Sequence, residues 1–241
     1  MAKRRKRWLG VLLLLFLGGG ALAYFAWHRL TGPGAAFKQE SKLLFIPTGA
    51  DFQTVVDSLA KLEAIDDEQA FRFLCSRKKY GERIRPGRYR IARGTSMNAL
   101  VNMLRSGEQE PVRVTFANVD HLPELAGRLG RALEPDSMAF LKAFMDPSVA
   151  QETGLSEQTL ISLFIPDTYE FWWTSTPQQF VERMRSEHAR FWNSDRTAKA
   201  KAKGLGYEEV ATLASIVQAE TVKASDAPTI AGVYLNRLRC V

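Results

Sequence analysis

The residues best placed to do chemistry lie late in the chain, in YEEVATLASIVQAETVKASDAPTIAGVYLNRL (residues 207–238). Val210, Leu213, Ala214 and Val217 recur at helical spacing and mark one apolar face. At about 100° per residue, Glu220 falls on that same face, beside Leu213 and Ile216. Glutamate is almost never fully buried unless it is paired or functional. A carboxyl at the end of an apolar stripe is partly desolvated, which favours its protonated form, and the negative end of a helix closing near Thr221 acts in the same direction. Such a group can protonate a leaving oxygen as general acid and later take a proton back as base. The residues leave a second reading open, in which Glu220 sits in solvent at a fraying helix end.

The elements around Glu220 follow from local signals. Glu208 and Glu209 occupy the first turn of its helix, where they complement the dipole. A second helix begins at once, with Asp226 just ahead, Pro228 in its first turn, and Ile230, Val233 and Tyr234 on an apolar face. Gly232 permits close approach of a neighbour. The two helices form a hairpin with Glu220 near the bend, and Asn236 and Arg237 on the second helix come within reach of a substrate. For Arg237 a solvated helix face is the plainer account.

Upstream, residues 28–40 read as a linker, rich in Gly and Ala around Pro33. Residues 41–116 then read β-α-α-β-α-β, a small α+β module without repeats or a phosphate loop. Its signals are an apolar strand near 43–47, Asp51 as cap of a helix over about 52–62, a helix over about 67–75, and Pro86-Gly87 before the alternating Tyr89/Ile91 strand. A third helix, capped by Thr95 or Ser96, ends at Ser106-Gly107, and a last strand follows over 111–116. From residue 122 the pattern is mainly helical, over 122–133, 137–145, 178–192 and 208–220. It is interrupted by LFIPDTYEFWW (residues 163–173), read as a buried strand beside a core-packed loop. Aromatic surfaces for stacking on sugar rings are the functional alternative there.

The N-terminus carries Lys3, Arg4, Arg5, Lys6 and Arg7 ahead of an uncharged run over 8–27, with Trp8, Tyr24 and Trp27 near its ends. About 20 apolar residues suffice to cross a bilayer, and the basic flank stays in the cytoplasm. The expectation is a retained single-pass anchor with the rest of the chain outside the cytoplasm. The competing account is a cleaved signal peptide ending near Ala21-Leu22-Ala23. Net charge is +7, and without those five basic residues it is 7 − 5 = +2, so no basic field points to nucleic acid. Three scattered histidines and two distant cysteines, Cys75 and Cys240, offer no zinc spacing, and no metal or other cofactor is expected. Cys75, within FRFLC, reads as a small buried hydrophobe, and whether it pairs with Cys240 is not legible from spacing.

LASIVQAET followed by IAGVYLNRL resembles the YceG-like endolytic murein transglycosylases. IPDTYEFWW is similar to that family's Pro-Asp/Asn-Thr-Tyr segment, and GRYRI with LVNMLRSGE resembles its LysM-like module. The resemblance implies a LysM-like module over 41–116 and a catalytic domain over 117–241, expected to be C-terminally incomplete because the chain stops at Val241 soon after NRL. It implies cleavage between MurNAc and GlcNAc within peptidoglycan strands, leaving 1,6-anhydro-MurNAc ends. Glu220 falls on the family's catalytic acid/base. Gln218 stands where many members carry a further acidic residue, and Gln218, Tyr169 and Asn236 are the implied substrate-binding residues. One carboxylate then suffices, because the nucleophile is the sugar's own 6-hydroxyl. A hydrolase needs two, about 5–5.5 Å or about 6.5–9.5 Å apart, and Asp167, Glu170 and Asp226 are the candidates for that role. Implied partners are glycan strands, the inner membrane and cell-wall synthases, with a role in limiting nascent strand length. A non-catalytic wall-binding scaffold is the alternative from another class.

Overall fold

The computed structural model describes residue 32, residues 37–117 and residues 119–239, Arg239 by its backbone alone. The expected anchor over 8–27 and Cys240 lie outside the described residues. Among those described, no helix is long and apolar enough to cross a membrane. The chain is a mixed α+β protein with mainly helical content, in two compact units. The first comprises residues up to Val112 together with Phe171–Thr174, and the second comprises Arg113–Glu170 and Ser175 onward.

In the first unit, β1 (Ser41–Ile46) pairs antiparallel with β2 (Gly87–Ala92), with Leu44 opposite Tyr89 and Ile46 opposite Gly87. Alternation puts Leu44 and Ile46 of β1, and Tyr89 and Ile91 of β2, on the buried side. Between the strands lie α1 (Phe52–Lys61) and α2 (Glu68–Arg77), and α3 (Met97–Ser106) follows β2. Each helix starts on a side-chain cap. Asp51 accepts from the Thr54 amide, Asp67 from that of Ala70, and Ser96 from that of Ala99. Val55, Val56 and Leu59 of α1, Phe71, Leu74 and Cys75 of α2, and Leu100, Val101 and Leu104 of α3 share one core with the strands. Cys75 is a free, buried thiol, and burial pushes it up to about 12. Helix α3 ends at Gly107, whose φ of 74° is a left-handed conformation natural to glycine.

β3 (Val112–Phe116), which the sequence pattern places at the end of the small module, instead pairs with β4 (Asp167–Phe171). The hydroxyls of Thr115 and Thr168 meet at 2.8 Å across that pair. Three short helices connect the strands: α4 (Leu122–Ala132), α5 (Ser137–Phe144) and α6 (Pro147–Thr153). Beyond β4 come α7 (Pro177–Phe191), α8 (Ser194–Ala202), α9 (Tyr207–Glu220) and α10 (Ala227–Arg239). Phe180 of α7 is fully buried, with ring centroids of Phe116, Phe140, Phe144 and Phe164 between 5.9 and 6.2 Å away.

Gly130 sets how closely the chain folds back after α4. A Cβ there would lie 2.5 Å from the Ser137 backbone nitrogen and 3.0 Å from its Cα. Backbone cannot swing aside as a side chain can, so Gly130→Ala should cost about 1–3 kcal/mol of overpacking, more than the helix propensity gained. Gly127→Ala is the control, since its Cβ meets only an Arg131 guanidinium nitrogen at 3.6 Å. Thermal unfolding should show a lower midpoint for the first variant and an unchanged or higher one for the second.

Candidate active site

Helix α9 is fixed at its N-terminal end. The Glu209 carboxylate accepts from the Gly206 amide, and the Tyr207 hydroxyl donates to the Thr153 carbonyl at 3.0 Å. The Tyr207 ring packs against His188 and Trp192 of the α7 end. Burial pulls the His188 imidazole below its ordinary value, so this anchor is neutral around pH 7.

At the other end the structure gives the second of the two sequence readings, with Glu220 in solvent at the end of its helix and not desolvated by the apolar stripe. Glu220 is the last residue of α9 and is exposed, and of the apolar stripe only Val217 is buried. Ile216 remains 36% exposed. The desolvation argued from the stripe therefore does not occur in this chain, because the face carrying Glu220 is covered only along part of its length. What holds the carboxylate is a side chain from the second helix. The Tyr234 hydroxyl donates to Glu220 Oε1 at 3.1 Å, and this bond to a carboxylate raises the phenol's own pKa. The Arg237 guanidinium lies 5.7 Å from the Tyr234 ring centre, a cation–π contact that steadies the ring.

The bend between α9 and α10 is shaped by short polar side chains. Thr221 Oγ1 accepts from the Lys223 amide at 3.0 Å, and Ser225 donates to the Asp226 carboxylate at 3.0 Å. The Asp226 carbonyl receives the Thr229 and Ile230 amides, which starts α10. Gln218 and Asn236 are both exposed, on α9 and α10 respectively. Tyr169 is buried, with its ring stacked on Phe116 at 5.2 Å and its hydroxyl donating to the Ile165 carbonyl at 2.8 Å. It shapes the core of the second unit instead of presenting a surface to ligand. In the same segment Phe164 and Phe171 are buried, as the buried-strand reading expects, while Trp172 stays 53% exposed. Asp167, at the start of β4, and Glu170 are exposed, with Glu170 on the face opposite Tyr169 and beside Arg113 at 3.9 Å.

Tyr234 is the residue that sequence reasoning assigned to an apolar face and not to the site. The available signal was its register, because on a helix hairpin the second helix must present one side to the end of the first. If Glu220 is the acid and base of glycan cleavage, Tyr234→Phe lowers that rate by about 2- to 10-fold, the net worth of about one hydrogen bond of 0.5–1.5 kcal/mol. Initial rates on purified glycan, set beside an unchanged melting midpoint, check this.

Glu220 is thus an exposed carboxylate held by a tyrosine at a helix bend, and the sequence around it is that of a known group. The chain belongs to the YceG-like family, whose model matches residues 44–240. It is 26% identical over 254 residues to an endolytic murein transglycosylase of Streptococcus pneumoniae serotype 2, covering 95% of this chain and 46% of that protein. The endolytic murein transglycosylase of Bacillus subtilis is 20% identical, with 92% of this chain and 65% of that protein covered. The chain thus spans about half to two thirds of the length of these curated relatives. In fold it is similar to the crystal structure of a yceG-like protein from Listeria monocytogenes, with a TM-score of 0.50 at 18% identity, over 83% of this chain and 71% of that one.

Proposed function

We propose that this chain is the glycan-cutting part of an endolytic murein transglycosylase, with Glu220 as its acid and base. The observation that carries the reading is the Glu220 carboxylate, exposed at the α9–α10 bend and gripped by Tyr234, within a family whose relatives bear that enzyme name. Glu220 protonates the oxygen linking MurNAc C1 to the next GlcNAc, and that bond breaks. The carboxylate so formed takes the proton of the MurNAc 6-hydroxyl as that oxygen closes on C1. A 1,6-anhydro ring forms, no water is consumed, and Glu220 is returned protonated for the next cycle. One carboxylate performs both transfers, which is why a second is not required as it is in hydrolysis.

To Gln218 and Asn236, exposed polar side chains of α9 and α10, this reading gives the holding of sugar hydroxyls or acetamides. The β1–α1–α2–β2 arrangement of the first unit supports reading it as the LysM-like, wall-binding module. The basic segment and apolar run over residues 3–27 support an anchor that keeps the enzyme on the outer side of the cytoplasmic membrane, beside cell-wall synthases, where it limits the length of new strands. Release of soluble glycan from purified sacculi tests the reading. The chain should release it, and Glu220→Gln should bind sacculi without releasing any. Equal retention without release by both proteins would favour a wall-binding scaffold.

A further inference from the structure

The first unit contains an open cleft of about 780 Å³ between the end of α2, the chain leading into β2, and the last turns of α3. Five cationic side chains line it: Lys78, Lys79, Arg83, Arg85 and Arg105. Glu108 is the one acid in the lining. Elsewhere in this unit arginines meet carboxylates, as Arg72 meets Glu68 and as Arg88 and Arg90 meet Glu110. None of the five cleft cations forms such a pair among the described residues.

Two of the five are built into the wall. Arg85 is half-buried, and its Nε is fully covered and makes no hydrogen bond. Its side chain lies across Gly107, where a Cβ would come within 2.5 Å of Arg85 Cδ. Gly107 therefore serves the slot as well as the helix end. The Lys78 ammonium is held by the side-chain oxygens of Asn98 and Asn102, which fix it without neutralising it. Burial and the nearby Arg105 charge both lower the Lys78 pKa, as expected where positive charges crowd without a counter-charge. Crowded cations that meet no carboxylate suit an anionic ligand. Guanidinium forks suit planar oxyanions. The concave shape, with Arg85 recessed, suits a discrete group entering the cleft more than a flat bilayer lying over it.

We propose that this cleft binds free carboxylates of an acidic peptide, the chemistry displayed by the peptide stems of murein. The inference rests on the glycan-strand reading above for the identity of the peptide. It gives the first unit a grip on the peptide part of the wall polymer, separate from the sugar chemistry at Glu220. The site then favours strands whose stems keep their acids over strands whose stems are amidated or removed.

The test is calorimetric titration of the full chain, in non-ionic detergent, with three probes: a disaccharide carrying an acidic tetrapeptide, the same compound with its carboxylates amidated, and the peptide-free disaccharide. The acidic compound should bind at least about tenfold more tightly than the other two, as loss of charge-assisted bonds requires. The double variant Arg83→Gln/Arg105→Gln, exposed at both positions, should erase that preference while leaving cleavage of peptide-free glycan unchanged. Equal affinity for acidic and amidated compounds, or a preference that survives the double variant, overturns the proposal. Binding to vesicles containing phosphatidylglycerol, with no preference among the three compounds, overturns it in favour of a membrane-facing site. A chain that prefers the acidic compound yet cuts no glycan keeps this inference and loses the proposed reaction. A chain that cuts glycan without that preference does the reverse.

Discussion

Replacing Glu220 with glutamine should lower glycan cleavage by about 10²- to 10⁴-fold, the usual contribution of a positioned general acid. Glutamine keeps the size and the side-chain oxygen, so the Tyr234 hydroxyl still has an acceptor. Because Glu220 is exposed and pairs with nothing buried, the melting midpoint should stay within about a degree or two, as for surface substitutions in general. What glutamine lacks is the proton to deliver to the glycosidic oxygen and the negative charge to draw the 6-hydroxyl proton afterwards. The contrast with Tyr234→Phe is informative, because that change leaves the proton donor in place and removes only its support. A Glu220→Gln chain cutting at more than about a tenth of the parent rate would shift the acid–base role to another carboxylate, with Asp226, next in sequence at the same bend, the first to examine.

Phe180→Ala should be the most damaging core substitution in the second unit. The ring is fully buried and touches four other aromatic rings drawn from β3, α5 and the stretch before β4. Truncation removes its burial, leaves a cavity bounded by rigid rings that collapse poorly, and forfeits the edge and tilted ring contacts. The expected cost is about 3–5 kcal/mol, a large share of the roughly 5–15 kcal/mol that holds a domain together. Thermal unfolding should show the midpoint lowered by about 10–20 °C, with glycan cleavage lost above the new midpoint and kept below it. Phe180→Leu, which keeps most of the volume, should recover more than half of the loss.

What the chain disclosed by sequence alone was chiefly local. Asp51 and Ser96 announce helix starts through their side-chain oxygens, and Gly107 announces a stop through its left-handed backbone. The order of elements over 41–116 and the helix hairpin placing Glu220 at a bend were legible for the same reason. Helices α6 and α8 were not, because each buries a single residue, Val149 or Ala200, and so lacks an apolar stripe. Their caps, Asp146 and Asn193, were the readable signal. The pairing of β3 with β4 joins residues more than fifty positions apart, and strand alternation does not say which partner a strand will choose. The exposure of Glu220 shows the same limit, since periodicity reports which residues share a face and not how much of that face a neighbour covers. Tyr169 illustrates the reverse, because the buried-strand reading of residues 163–173 already put it in the core while the motif resemblance drew it to the site.

The most direct test of the central claim is mass spectrometry of the new chain ends formed when this protein acts on purified sacculi. MurNAc ends lighter by one water than reducing ends are expected, and absent when Glu220 is glutamine. Reducing ends of full mass, formed at the same rate, would contradict the claim, because they require water as nucleophile and a second carboxylate to activate it.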